Sequence, residues 1–295
     1  MRRALGGRFR RDAIAWLIML PSLILFTFFV WEPLLESIRL SVYETKGVRL
    51  IQFVGLENYR SVFEHPDFWP AVRNTVKYCL WSLAIGFLVP IVLAVVINEA
   101  TRGKSLFRVA VYLPNMVPGL ATVWLWRFLF RSGDTGALNM LVSALGLPMQ
   151  SWLADASLVI PVIVVTMTWK GAGATTLIYL AGLQGINPEL YEAAIIDGAG
   201  VWGRIRNITI PNIYNLGRTL LILQIITVFQ ILYEPMVMTN GWPNNASISL
   251  IQLVDRLAFE TNYDYAKASA LSVMSPMVRT TLSLIYNSHT KPNER

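Results

Sequence analysis

Lys170 is the only charge in the stretch 156–180, and Thr166, Thr168, Trp169, Gly171, Gly173 and Thr175 surround it. An ammonium, several hydroxyls and an indole in close sequence suit a sugar: hydroxyls take hydrogen bonds while apolar ring faces stack on aromatics. Lys170 reads either as a lysine paired for structure or as one that lines a cavity and holds hydroxyls or carboxylates. The cavity reading is preferred, with Trp169 beside it. Gln230, Tyr233 and Glu234 form a second polar set of the same kind. Other chemistry finds little support. His65 and His289 are the only histidines and Cys79 the only cysteine, so neither metal ligands nor a catalytic nucleophile is expected. Residues 198–203 spell G-x-G-x-x-G, but a helix signal rather than a strand precedes them, so the match is by chance. Gly103-Lys104-Ser105 lacks the earlier glycine of a phosphate loop, Asn98 standing there, so no ATP site is expected on this chain.

The elements that carry these residues follow from composition. Of 295 residues 54% are hydrophobic and 15% charged, against about 25% charged in soluble domains. A helix rises about 1.5 Å per residue, so a hydrocarbon core of about 30 Å takes about 20 apolar residues. Residues 13–31, 78–98 and 109–126 are that long and uncharged. Residues 156–180 and 219–237 each contain one charge, Lys170 and Glu234, and 266–286 is interrupted by Arg279, with Lys267 at its very start. A charge at mid-membrane costs about 3 kcal/mol or more unless paired or wet, so these three helices should face one another or a cavity. Six spans are expected. The basic start, Met1 to Arg11, reads as the flank of an uncleaved first span, because Trp31-Glu32-Pro33 follows it instead of a small-residue cleavage site.

The formal charge of +7 is uneven. With the N-terminus inside, the inner segments hold 13 Lys+Arg against six acids and the outer segments 10 against 11. Positive charge stays cytoplasmic, which places both termini inside a multi-pass cell-membrane protein. The inner segment 187–211 carries Glu189, Glu192, Asp197, Arg204 and Arg206. There Asn187 suits a helix cap, Pro188 the first turn and Gly198 the stop, giving a short helix, a bend and a second basic helix ending near Pro211.

Glu192-Ala193-Ala194, Asp197-Gly198-Ala199 and Ile208-Thr209-Ile210-Pro211 resemble the "EAA" loop of ABC importer permeases. Phe53 to Tyr59, Leu183 to Ile186, Gly241 to Asn245 and Tyr265 to Ala270 resemble further segments of the carbohydrate-uptake subfamily, the maltose and glycerol-phosphate type. The resemblance runs from residue 13 to about 275. It implies an all-α membrane protein with six transmembrane helices in the type I (MetI-like) permease fold. Residues 1–75 would hold the tail, first span and outer loop, 76–286 the permease core, and 287–295 a cytoplasmic tail. It implies that Glu192, Ala193, Ala194, Asp197, Gly198, Ala199 and Pro211 couple the chain to a cytoplasmic ABC ATPase dimer, which carries the ATP and Mg, this chain binding no cofactor. A second homologous permease subunit, an extracytoplasmic solute-binding protein, a sugar substrate and the lipid bilayer complete the implied partners; nucleic acid is not among them. Two other classes stay in play: a secondary transporter and a membrane-embedded enzyme acting on lipid-linked sugars. The first typically shows inverted repeats and midplane acids, the second a nucleophile or paired acids at the membrane surface.

Overall fold

The computed structural model describes residues 2–260 and 263–289, with side chains placed for 14–260, 263–277 and 280. The chain divides into two compact units, residues 1–64 with 254–278, and residues 65–253 with 279–295. In the first, α1 (Arg2–Phe26) passes through one wide π-turn, Thr27–Trp31, into α2 (Glu32–Ser41). The sequence places the end of this span at Trp31-Glu32-Pro33, yet the helix continues. Pro33 falls in the first turn after the π-turn, where its missing N–H costs little. The resulting helix, Ile14–Ser41, has a mean hydropathy of 2.2 in its apolar window. An antiparallel hairpin follows, β1 (Tyr43–Lys46) with β2 (Arg49–Phe53), then α3 (Glu57–Phe63). The buried Asn58 amide donates to the carbonyls of Ser41 and Tyr43, both at 2.9 Å, and the Ser41 and Tyr59 hydroxyls meet at 2.8 Å. The Phe53–Tyr59 motif is therefore a fastener between hairpin and helix.

The second unit contains the longest apolar helix, Phe68–Glu99, with a mean hydropathy of 2.7. It consists of α4 (Phe68–Trp81), a wide turn at Ser82–Phe87 and α5 (Leu88–Glu99). Next come α6 (Lys104–Met116), α7 (Gly119–Leu129), α8 (Ala137–Ala144) and α9 (Val159–Gln184). The short α10 (Pro188–Ile196) and α11 (Val201–Arg204) lead through a wide turn, Ile205–Thr209, into α12 (Ile210–Val228) and α13 (Tyr233–Met238). The chain ends with α14 (Leu250–Asp255), a wide turn at Arg256–Glu260 and α15 (Tyr265–His289). The side chains of Arg279 and His289, and residues 290–295 of the terminal tail, lie outside the described residues.

Helix α9 is the hub, packing against α4, α5, α6, α7, α12 and α13. Its first half sits in an apolar cluster with Tyr78, Val123, Phe130 and Val228. Its last turns sit in another with Ala94, Ile97 and Ile213. Between the clusters lies a polar layer: the buried Thr166 and Thr176 bond back to carbonyls of their own helix, and Gln224 donates to Ser82. Gly173 sets the approach to α6. A Cβ there would stand 2.2 Å from the Val111 carbonyl oxygen and 2.9 Å from the Tyr112 Cα, so the two backbones touch.

Three sequence expectations are corrected here. Residues 109–126 are not one straight span, because α6 and α7 meet at 95°. Pro118 is the cause: it disfavours helical backbone at the preceding residue, and Val117 is extended at φ −70°, ψ 132°. Residues 219–237 are likewise interrupted between α12 and α13. Pro235 cannot donate to the carbonyl of Ile231, and the buried Ser249 hydroxyl donates to that oxygen instead. Finally, the second basic helix does not end near Pro211. It runs through the turn Ile205–Thr209 into α12, with Pro211 exposed in the first turn of α12.

Candidate functional site

The two interruptions face the same stretch of α9. Lys170, near the middle of that helix, donates from its ammonium to the Val117 carbonyl oxygen at 2.6 Å. That oxygen lies at the bend between α6 and α7, where regular helical bonding has lapsed. Glu234, in the first turn of α13, lies within electrostatic reach of Lys170. Tyr233 comes from the same turn: a Cβ on Gly119, at the start of α7, would stand 3.6 Å from its ring. Trp169 is more than a third exposed and meets Trp126 edge-on at 5.6 Å, and Trp126 stacks on Phe130 at 5.1 Å. Thus Trp169, Lys170, Tyr233 and Glu234 assemble around the two breaks. Gln230 lies in the break between α12 and α13, its side chain exposed. A path for a polar solute requires this: backbone leaves regular helix inside a membrane only where protein or water satisfies its polar groups.

Lys170 thereby has a structural partner as well as a place in the polar layer. Lys170→Met would leave the Val117 carbonyl without its donor and Glu234 without its nearby cation. We expect a loss of about 1 kcal/mol of stability, because the bond is only half-buried and water can partly replace the donor. Thermal unfolding in detergent or nanodiscs checks it; an unchanged midpoint would mean that water already serves the bend.

The second group lies beyond the C-terminal end of α9, about 39 Å from its start by helical rise. Helix α10 is capped at both ends by its own sequence. The Asn187 side chain accepts from the Glu189 N–H at 3.1 Å. At the other end Gly198 is left-handed, φ +79°. Its N–H donates to the Ile195 carbonyl at 3.0 Å and that of Ala199 to Ala194 at 2.8 Å, a Schellman close. Glu192, Ala193, Asp197 and Gly198 are exposed, while Ala194 and Ala199 are half-buried. The helix is tied to the bundle by polar links that sequence reading missed. The hydroxyls of Tyr191 and Thr209 meet at 3.0 Å, and Arg204 pairs with Glu99, at the end of α5, at 3.4 Å. Neither pair is local in sequence, so no spacing rule reveals it. Also missed were the exposed apolar residues at this end, Leu190, Ile195, Ile196 and Trp202, of which Ile196 is 86% and Trp202 72% exposed.

Interrupted helices around a polar layer, with a rigid capped helix standing out at one end, define a membrane transport subunit. Residues 86–275 match the family described as "binding-protein-dependent transport system inner membrane component". The chain is 31% identical over 289 residues to the trehalose/maltose transport system permease protein MalF of Thermococcus litoralis, covering 95% of this chain and 94% of that one. It is 29% identical over 278 residues to the lactose transport system permease protein LacF of Rhizobium radiobacter, covering 93% of each. It also superposes, with a TM-score of 0.87 and 25% identity, on a subunit of a bacterial ABC transporter involved in the import of the acidic polysaccharide alginate, covering 99% of this chain and 100% of that one. This chain belongs to the binding-protein-dependent transport system inner membrane component family. It has the type I permease fold and is a permease subunit of an ABC importer, not an enzyme.

Proposed function

We propose that this chain forms one half of a translocation path for a sugar or oligosaccharide, delivered by an extracytoplasmic binding protein and driven by a cytoplasmic ATPase dimer. A second, homologous permease subunit supplies the other half. The chain crosses the membrane six times with both termini cytoplasmic, ATP and Mg are held by the ATPase alone, and α10 is the coupling helix. Closure of the ATPase pair pushes on α10, which is too short and too well capped to bend. The links Arg204–Glu99 and Tyr191–Thr209 pass that motion to α5 and α12, and α9 lies between them. The polar layer around Lys170, Trp169, Tyr233 and Glu234, with Gln230 at the neighbouring break, then opens to alternate sides. The observation that carries this reading is the exposed, doubly capped α10, with its own Ile196 and the neighbouring Trp202 turned to solvent.

Glu192 pins α10 to the ATPase. Glu192→Arg should leave the protein inserted and the ATPase active, while vanadate-sensitive sugar uptake falls about tenfold, the loss of one interfacial charge pair. Uptake assays in reconstituted vesicles check this, and normal uptake by the variant would remove Glu192 from the coupling site.

A further inference from the structure

At the end of the second unit opposite α10, a cavity of about 560 Å³ opens beside the start of α9. A ligand pocket commonly measures about 300–1,000 Å³. Its lining includes Arg127, Arg131, Trp124, Phe130, Ser132 and Trp242, and no carboxylate. Asp155, next in sequence to the lining residue Ala154, is already engaged. It accepts from the Ser157 N–H at 2.7 Å and hydroxyl at 2.6 Å, which hold its carboxyl below the usual carboxylate range.

Both walls are rigid. On one side the fully buried Asn139 binds the loop 131–155 together: its amide donates to the carbonyls of Gly133 and Gln150, and its oxygen accepts from the Gln150 N–H and the Trp152 indole. On the other side the Ser247 hydroxyl donates to the Trp242 carbonyl at 3.0 Å and meets the Thr239 hydroxyl at 2.7 Å. Asn74 donates to the carbonyls of Asn245 and Ile248 in the same turn. The Arg127 guanidinium lies 5.2 Å from the Trp124 ring and donates to the Val237 carbonyl at 3.3 Å, fixing its direction. Arg131 is exposed at the rim.

Two guanidiniums, indole faces and no acid in a preformed cavity suit a ligand with carboxylates on a ring that has apolar faces. We propose that this cavity binds an anionic saccharide, a uronate oligosaccharide, with Arg127 and Arg131 holding carboxylates and Trp124 and Trp242 stacking on the sugar. Guanidinium forks match carboxylates in a bidentate way that an ammonium does not. The cavity is thus a selectivity point ahead of the polar layer. Lys170, which also suggests an acidic ligand, is occupied by Val117. This inference rests on the importer reading and deepens it by naming a substrate class.

The full chain in phosphatidylcholine nanodiscs is titrated with trigalacturonate and with maltotriose, following calorimetric heat and tryptophan fluorescence. Trigalacturonate should bind at least about tenfold more tightly, the scale of one charge-assisted contact, and the preference should shrink as salt rises. Arg131→Gln should lower trigalacturonate affinity about tenfold and leave maltotriose unchanged. Arg127→Gln should act likewise, and Arg131 serves as the safer variant because its side chain stands at the rim. Equal affinity for the two trisaccharides, or an Arg131→Gln variant that binds trigalacturonate normally, overturns the proposal. Displacement of trigalacturonate by phosphatidylglycerol would make the cavity a headgroup site and also overturn it. So would an Arg131→Gln defect confined to binding-protein association. Uptake of a neutral sugar without trigalacturonate binding refutes this inference alone. Trigalacturonate selectivity in a chain that recruits no ATPase refutes the importer reading alone.

Discussion

Gly173→Val should leave almost no folded protein, while Gly171→Ala two residues away should be tolerated. At Gly173 even a Cβ meets backbone, the Val111 carbonyl and the Tyr112 Cα, and backbone cannot swing aside as a side-chain end can. Valine adds two methyls to that clash. Ordinary overpacking costs about 1–3 kcal/mol because side chains yield. Here α6 and α9 must separate along a shared face, so the loss should exceed about 4 kcal/mol, the range reserved for disrupted packing. The second consequence is geometric. Val111 and Tyr112 lie on α6 a few residues before Val117, so moving α6 away also carries the Val117 carbonyl from Lys170. Gly171 has no atom within 4 Å of its would-be Cβ, and alanine suits a helix better than glycine does. Fluorescence-detected size exclusion of tagged variants and thermal unfolding in nanodiscs distinguish the two. A monodisperse Gly173→Val protein with a near-normal midpoint would show that the α6–α9 contact is not needed.

Ile196→Asp should release the ATPase while leaving the permease folded. Ile196 is the last residue of α10 and the most exposed large apolar side chain described, and Trp202 stands close by in sequence on α11. Exposed apolar side chains grouped at one end of a subunit, as Leu190, Ile195, Ile196 and Trp202 are, mark a surface that a partner covers. If α10 enters a cleft in the ATPase, Ile196 sits at the centre of the contact, where truncating a buried anchor commonly costs at least about 2 kcal/mol. A carboxylate adds desolvation cost, so affinity should fall by about two orders of magnitude or more. The folded permease loses nothing, because this side chain touches little of its own chain and the Schellman close at Gly198 uses only backbone. Pull-down of the ATPase from detergent-solubilised membranes measures the effect. Retained association with lost uptake would move the binding anchor to Trp202 and make α10 a transmitter only.

These predictions differ in how far the sequence reveals their residues. Helix α10 is legible to within a residue or two: Asn187, Pro188 and Gly198 mark its ends, and it spans Pro188–Ile196. Each of those signals acts within five residues, through a cap, a missing N–H or a left-handed backbone. The first, second and fourth apolar runs likewise become helices, since a long apolar run can satisfy its backbone polar groups only within its own helix. The third and fifth runs hide breaks because Pro118 and Pro235 can kink a helix or break it, and only the surroundings decide which. Ser249 and Lys170, each distant in sequence, satisfy the freed carbonyls of Ile231 and Val117 and make breaking affordable. Pro211 shows the opposite outcome, a proline that lies in the first turn of a continuing helix.

By itself the sequence determined the apolar runs, the caps of α10 and the charge asymmetry, because hydropathy, capping and formal charge are properties of short segments. Only the tertiary structure decided where Lys170 points, that Glu99 and Arg204 pair across 105 positions, and that Arg127, Arg131 and Trp242 line one cavity. Those facts depend on which helices lie side by side. That choice is made by close packing, above all where Gly173 lets α6 touch α9, and no spacing rule along the chain encodes it.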